Sequence, residues 1–145
     1  MLKIVVDTNV VVSALLKPGS KPELVLMLLF DEEHKICQLC LSDEILTEYR
    51  RVLGYGKFRE YLDENKVRRF LSQLEKHSAR MTPRVPVDVL KDDPSDNKFL
   101  ECSLEAKADF LITGNIKHFP FRKFHHTRVV TPTKFLEIIT ELLFE

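Results

Sequence analysis

Oxygen-bearing side chains recur in this sequence at the ends of short apolar runs. Asp7, Thr8 and Asn9 follow a run at residues 2–6, and Ser42, Asp43, Glu44 and Glu48 follow a second at 35–41. Asp92, Asp93 and Asp96 precede a third at 109–113, which Thr113, Gly114 and Asn115 close. If the runs are strands of a parallel sheet, these residues gather beyond its carboxyl edge, where ligands of open α/β sheets bind. Carboxylates drawn together repel one another, and a divalent cation relieves the repulsion. Mg²⁺ takes hard oxygen ligands alongside waters and suits phosphate-bearing substrates. Such a site neutralises charge on a scissile phosphate and lowers the pKa of water. Other chemistries lack their signatures. No G-x-G-x-x-G follows the first run and no G-x-x-x-x-G-K-[ST] occurs. No G-x-S-x-G elbow occurs either. An aspartyl nucleophile of the phosphatase type would want a second Asp two residues after Asp7, where Asn9 stands.

The elements that must position these residues alternate along the chain. Residues 2–6 are apolar and rich in β-branched side chains, the pattern of a strand buried on both faces. A helix is expected over 8–16, stopped by Lys17-Pro18-Gly19-Ser20, and a second over 22–30 with Pro22 in its first turn. Residues 35–41 read as a strand, and Ser42-Asp43-Glu44 opens a helix that runs to about 53, where Gly54-Tyr55-Gly56 breaks it. Val67, Phe70, Leu71 and Leu74 stripe a helix over 63–78. A short strand is placed at 81–87, a polar loop at 91–95 and a helix at 96–106. Strands at 109–113 and 128–131 and a closing helix at 132–144 complete the pattern. Strand–helix alternation predicts an α/β fold, a three-layer α/β/α arrangement around a mostly parallel sheet. No domain boundary interrupts it, so residues 1–145 are read as one domain.

The composition agrees: 44% of residues are apolar and 30% charged, with only 4 Gly and 7 Pro. Disordered and collagen-like classes are thereby excluded. The 22 basic and 22 acidic residues give a net charge of zero, so bulk charge does not advertise a nucleic-acid partner. Cys37, Cys40 and Cys102 are too few for a disulfide framework. His34, Cys37 and Cys40 lack a fourth ligand for zinc, and Cys37 and Cys40 are expected as buried strand residues. The first residues carry no signal-peptide pattern and no run approaches a membrane span, so a cytoplasmic, reducing compartment is expected.

Four stretches in series resemble the PIN-domain family, and within it the prokaryotic PIN proteins described as toxin components of toxin–antitoxin pairs. They are Ile4-Val5-Val6-Asp7-Thr8-Asn9-Val10, Ser42-Asp43-Glu44-Ile45-Leu46-Thr47-Glu48-Tyr49, Asp93-Pro94-Ser95-Asp96-Asn97-Lys98-Phe99-Leu100-Glu101-Cys102 and Ala108-Asp109-Phe110-Leu111-Ile112-Thr113-Gly114-Asn115. The resemblance implies a PIN-like fold and a metal-dependent endoribonuclease. By that resemblance Asp7, Glu48 and Asp96 are the catalytic acids and hold Mg²⁺ or Mn²⁺ with help from Asn115. Thr8, Asn9 and Thr113 support them with hydrogen bonds. An activated water would cut RNA to leave 5′-phosphate and 3′-hydroxyl ends. Asn115 departs from the acid often found at its position and removes one negative charge from the set. A non-cleaving PIN-fold module that binds RNA or protein is therefore carried as the alternative, and a small-molecule phosphatase as a third reading. An antitoxin protein and a homodimer are the partners implied.

Each residue also has a plainer reading. Asp7 with Thr8 could cap a helix, Glu44 rivals Glu48, Asp92 and Asp93 rival Asp96, and Thr113-Gly114-Asn115 could be an ordinary turn. Residues 110–136 contain no Asp or Glu but hold Lys117, Arg122, Lys123, Arg128 and Lys134, with His118, His125 and His126. Phe119, Phe121 and Phe124 are interleaved with them. Cations alternating with rings suit RNA, so Lys117, Arg122, Lys123 and Arg128 are candidate RNA contacts. The plainer reading is a loop whose phenylalanines pack into the core. Leu24, Leu26, Met27, Leu28, Leu29 and Phe30 are more apolar than one helix face needs, which makes this stripe a candidate self-association surface or simply core.

Overall fold

The computed structural model describes residues 1–144. Strand β1 (Leu2–Val6) leads through helices α1 (Thr8–Leu16) and α2 (Lys21–Leu29) to β2 (Cys37–Ser42). Helices α3 (Asp43–Leu53) and α4 (Glu64–Lys76) then connect to β3 (Ser78–Met81). A long loop ends in a 3₁₀ turn at Pro94–Asp96, which feeds α5 (Asn97–Ala106) and β4 (Phe110–Ile112). After a second such turn at Ile116–His118, the hairpin β5 (Lys123–Phe124) and β6 (Thr127–Val130) precedes α6 (Pro132–Phe144).

These strands form one sheet in the order β3-β2-β1-β4-β6-β5, parallel throughout except for β5 against β6. The chain moves outward from β1 to β2 to β3, then crosses back to place β4 on the other side of β1. Right-handed crossovers before and after that reversal put their helices on opposite faces, which gives the three α/β/α layers. Strand β1, covered on both sides, has Ile4, Val5 and Val6 fully buried, as its unbroken apolar pattern requires. The reversal between β1 and β4 is a topological switch point, and the carboxyl ends of the strands there are where such sheets accept ligands.

Two elements differ from expectation. The third strand lies at Ser78–Met81 rather than at 81–87, paired in parallel with Leu39–Ser42. Pro83 and Pro86 cannot donate to a ladder, so the pairing falls on the residues before them, and α4 ends at Lys76 to make room. The two-residue strand β5 is additional. It is joined to β6 by a tight turn in which His125 adopts a φ of 53°. All three cysteines are buried and free. Burial pushes the Cys37 thiol up to about 11 and Cys102 to about 12, so neither supplies a thiolate at neutral pH.

Helix α3 is docked on β1 by one buried bond. The hydroxyl of Tyr49, fully buried, donates to the carbonyl of Val6, the last residue of β1. Tyr49→Phe leaves that buried carbonyl without this donor. We expect a loss of about 1–2 kcal/mol in urea unfolding, with the denaturant slope unchanged.

Candidate active site

Asp7 stands one residue beyond β1 and occupies the N-cap position of α1, yet its side chain makes no capping bond. Instead it accepts from Thr113 Oγ1 at 2.8 Å and from Asn9 Nδ2 at 3.3 Å. Burial pushes the Asp7 carboxyl above its ordinary value, and Glu48 nearby adds to the rise. The bonds from Thr113 and the Thr8 backbone, and the His118 ring, oppose it. Thr113, fully buried at the end of β4, also accepts from the Asn115 backbone N–H at 3.1 Å. Asn9 closes the floor: its Oδ1 accepts from Gly114 N–H at 2.8 Å. A Cβ at position 114 would sit 3.1 Å from that oxygen, so this crossing is tight for any residue but glycine.

Glu48 reaches the same region from α3, whose entry Ser42 secures by accepting from Ile45 N–H at 3.2 Å. Glu48 is buried, whereas its rival Glu44, one turn earlier on the same side of α3, is exposed at the start of the helix. Thr8 donates its hydroxyl to Glu48 Oε2, and the Lys98 ammonium lies 2.6 Å from Oε1. Arg51, one turn along α3, has its guanidinium 3.8 Å from that same oxygen.

Asp96 is contributed by the 3₁₀ turn before α5 and, like Asp7, leaves the N-cap bond unmade. Its rivals Asp92 and Asp93 are exposed, and Asp93 serves the turn by accepting from Ser95 Oγ at 2.7 Å. Burial, followed by the charges of Asp7, Asp93 and Glu48, pushes the Asp96 carboxyl up to about 7, with His118 opposing. Asp96 thus feels the charges of both Asp7 and Glu48, and Asp7 feels that of Glu48. His118 Nδ1 stands 3.9 Å from Asp96 Oδ2, while its Nε2 pairs with Asn115 Nδ2 at 2.9 Å. Asn115 itself is exposed.

Hydrogen bonds thus link Asp7 to Thr113 and Asn9, Thr113 to Asn115, and Glu48 to Thr8, while Asp96 lies near enough to feel the charges of Asp7 and Glu48. Three further participants, Lys98, His118 and Asn97, have no role assigned by the sequence reading. Lys98 and His118 contact site residues, and buried Asn97 ties the acid-bearing loop by accepting from Val89 and Leu90 N–H at 3.3 and 3.0 Å. Lys98 and Asn97 adjoin Asp96 in the third stretch, so helical position was the available clue.

The candidate RNA contacts are dispersed. Lys117 follows Asn115 at the site and is exposed. Arg122 turns back on its own loop and donates to the carbonyls of Phe119 and Phe121 at 3.1 and 3.2 Å. Lys123 pairs across from Arg128, and Arg128 is level with Phe110, at the start of β4 rather than at the end that carries the acids. Phe119 is buried, and Phe121 and Phe124 pack against the core.

The donor set is chemically suited to a hard divalent cation: buried, mutually repelling carboxylates with an amide oxygen beside them. As the side chains stand, no three His, Cys, Asp or Glu groups among the described residues converge closely enough to hold one ion. Glu48 is drawn instead onto Thr8 and Lys98.

Fold and site together define a switch-point acid cluster on a three-layer sheet. A profile of the PIN domain matches residues 3–117. The chain is 34% identical to the uncharacterized protein MJ1680 of Methanocaldococcus jannaschii, over 94% of this chain and 90% of that one. It is also similar in structure to a chain of VapBC2 from Rickettsia felis, crystallised with a DNA fragment from their promoter. The TM-score is 0.61 at 15% identity, covering 90% of this chain and 98% of the other. This protein belongs to the PIN domain family, whose members are generally nucleases and typically use a divalent metal.

Proposed function

We propose that the protein is a metal-dependent endoribonuclease. The observation that supports this reading is that Asp7, Glu48 and Asp96, from three separate elements, are all buried near the switch point, with Asp96 pushed up to about 7 by burial and by its acidic neighbours Asp7, Asp93 and Glu48. Asp7, Glu48 and Asp96 would hold Mg²⁺ or Mn²⁺, assisted by the Asn115 amide oxygen. When bound, the cation supplies charge neutralisation at the phosphodiester and water of lowered pKa. The chain's own residues do the rest. Thr113 and Asn9 fix one oxygen of Asp7, and His118 keeps a ring nitrogen near Asp96. Lys117, exposed beside the cluster, meets the RNA backbone, whereas Arg122, Lys123 and Arg128 offer charge farther along the same loop and hairpin.

The proposal extends to partners. An antitoxin is proposed after the toxin–antitoxin assembly of the Rickettsia felis neighbour. Leu24 and Met27 on α2 remain exposed beside Leu28 and Leu136, an apolar face for that partner or for a second copy of the chain. No helix among the described residues is long and apolar enough to cross a membrane.

Incubating the chain with single-stranded RNA and with a generic phosphomonoester, in Mn²⁺ or in chelator, tests the activity. We expect shortened RNA with metal alone and no release of phosphate from the monoester. Monoester hydrolysis without RNA cleavage would favour a phosphatase instead. The binding-module reading draws on Asn115, whose amide is engaged by His118. RNA retention without cleavage, together with no Mn²⁺ bound at millimolar concentration, would support it.

A further inference from the structure

The hydrolytic reading leaves Lys98 unused, although its ammonium makes a close ionic contact in the acid cluster. Lys98 lies in the first turn of α5, two residues after Asp96. Its Nζ is 2.6 Å from Glu48 Oε1, and the two side chains are only 16% and 9% exposed. Thr8 donates to the other oxygen of Glu48, so both carboxylate oxygens are engaged by the protein itself. The other two acids are held differently. Asp7 receives neutral donors from Thr113 and Asn9, and the closest cationic candidate to Asp96 is the His118 ring at 3.9 Å.

We infer that Lys98 is an internal counter-cation: it holds Glu48 in the metal-free protein, and a divalent cation must displace its ammonium from Glu48 Oε1 to gain that ligand. This inference rests on the metal-dependent reading. An ammonium and a divalent cation compete for the same oxygen and repel each other at short range, where little water intervenes to screen them. The arrangement keeps a buried carboxylate neutralised while no metal is present. It also accounts for why three acids sharing one site do not converge as they stand. A lysine that merely clamps Glu48 into ligating position predicts the reverse, because its loss would let the carboxylate swing away.

Calorimetric titration of Mn²⁺ into the metal-free chain separates these roles, with wild type, Lys98→Met and Lys98→Arg compared after far-UV dichroism confirms folding. Lys98→Met is expected to bind Mn²⁺ roughly ten-fold tighter and to melt lower than wild type when metal-free, since competition and repulsion are both removed. Lys98→Arg, which keeps the charge, is expected to bind as wild type does. Binding seen in Lys98→Met alone would also support the inference. Wild-type binding that Lys98→Met leaves unchanged or weakens overturns the Lys98 assignment and leaves the metal site intact. No binding in any variant overturns the metal reading and this inference together. Should Lys98→Met fail to fold, Lys98→Gln gives Glu48 a neutral donor and carries the same measurement.

Discussion

Asp96→Asn is expected to abolish RNA cleavage while making the metal-free protein more stable. The carboxyl of Asp96 is pushed up to about 7 in the folded chain by burial first, then by Asp7, Asp93 and Glu48. In the unfolded chain it titrates near the ordinary aspartate value of about 4. The folded state therefore binds the proton more tightly. Stability from this group is fully present below about pH 4, declines through the interval and is lost above about pH 7. At pH 8 the charged carboxylate costs about 1–3 kcal/mol, discounted for the water that still reaches it. The neutral amide escapes this cost, so a melting temperature several degrees higher is expected, on the order of 3 °C per kcal/mol for a chain of this size. The gain should shrink as pH falls from 8 to 5, because protonation relieves the wild type by the same amount. Cleavage should fall by roughly 10²-fold or more, as when a group that stabilises transition-state charge is removed. A function-bearing acid that destabilises its own fold is expected where activity and stability compete. An unchanged or lower melting temperature at pH 8 would contradict the electrostatic account of the cluster.

Glu48→Gln is expected to lose cleavage equally but to shift stability the other way. Glu48 is compensated where Asp96 is not: Lys98 Nζ lies at 2.6 Å, Arg51 at 3.8 Å, and Thr8 donates to the second oxygen. Removing its charge leaves the Lys98 ammonium facing a neutral amide in a largely buried position. Taking one partner from a buried pair costs more than the pair contributed, because the other charge stays desolvated. A destabilisation of about 1–3 kcal/mol is expected, reduced from the fully buried case because the glutamine oxygen can still accept from Lys98 while its amide N–H donates to the Thr8 hydroxyl. Urea unfolding of the metal-free variants at pH 8 measures both effects on one scale. Shifts of the same sign for Asp96→Asn and Glu48→Gln would show that the two acids do not differ in compensation as described.

Much of the fold follows from patterns that act locally. The apolar, β-branched run before Asp7 can only be a strand covered on both faces, and Pro22 or Ser42 marks a helix start by its own backbone chemistry. The pieces that escape a sequence reading are those without a local signal. Strand β3 has four residues, none buried, and owes its existence to the edge of β2 rather than to its own alternation. Strand β5 is shorter still. Asp7 and Asp96 stand out as candidates because each lies at an element boundary, whereas Glu48, in the middle of α3, is singled out only by its spacing from Ser42 in the family resemblance. Their partners do not stand out: Lys98 meets Glu48 across fifty residues of chain, and Tyr49 meets Val6 across forty-three. The acid-free basic stretch shows the opposite failure. Adjacency in sequence suggested one RNA-facing surface, but Arg122 spends its guanidinium on nearby carbonyls, and Lys123 and Arg128 are carried toward the other end of the sheet. The net charge of zero therefore reflects an acid set at the strand ends balanced by cations spread over several faces.

If Asp7, Glu48 and Asp96 hold the cation on which RNA cleavage depends, Asp7 gives the most direct test. Asp7→Asn keeps the shape of a buried side chain that contacts Thr113 and Asn9, so the fold should persist while one ligand charge is lost. The decisive measurement is the rate of internal cleavage of an end-labelled single-stranded RNA in Mn²⁺ by wild type and by Asp7→Asn, with product ends determined. Cleavage by wild type to 5′-phosphate ends, and a rate for Asp7→Asn lower by roughly 10²-fold or more, is the predicted result. Equal cleavage by the two proteins, or wild-type cleavage undiminished in chelator, would contradict it.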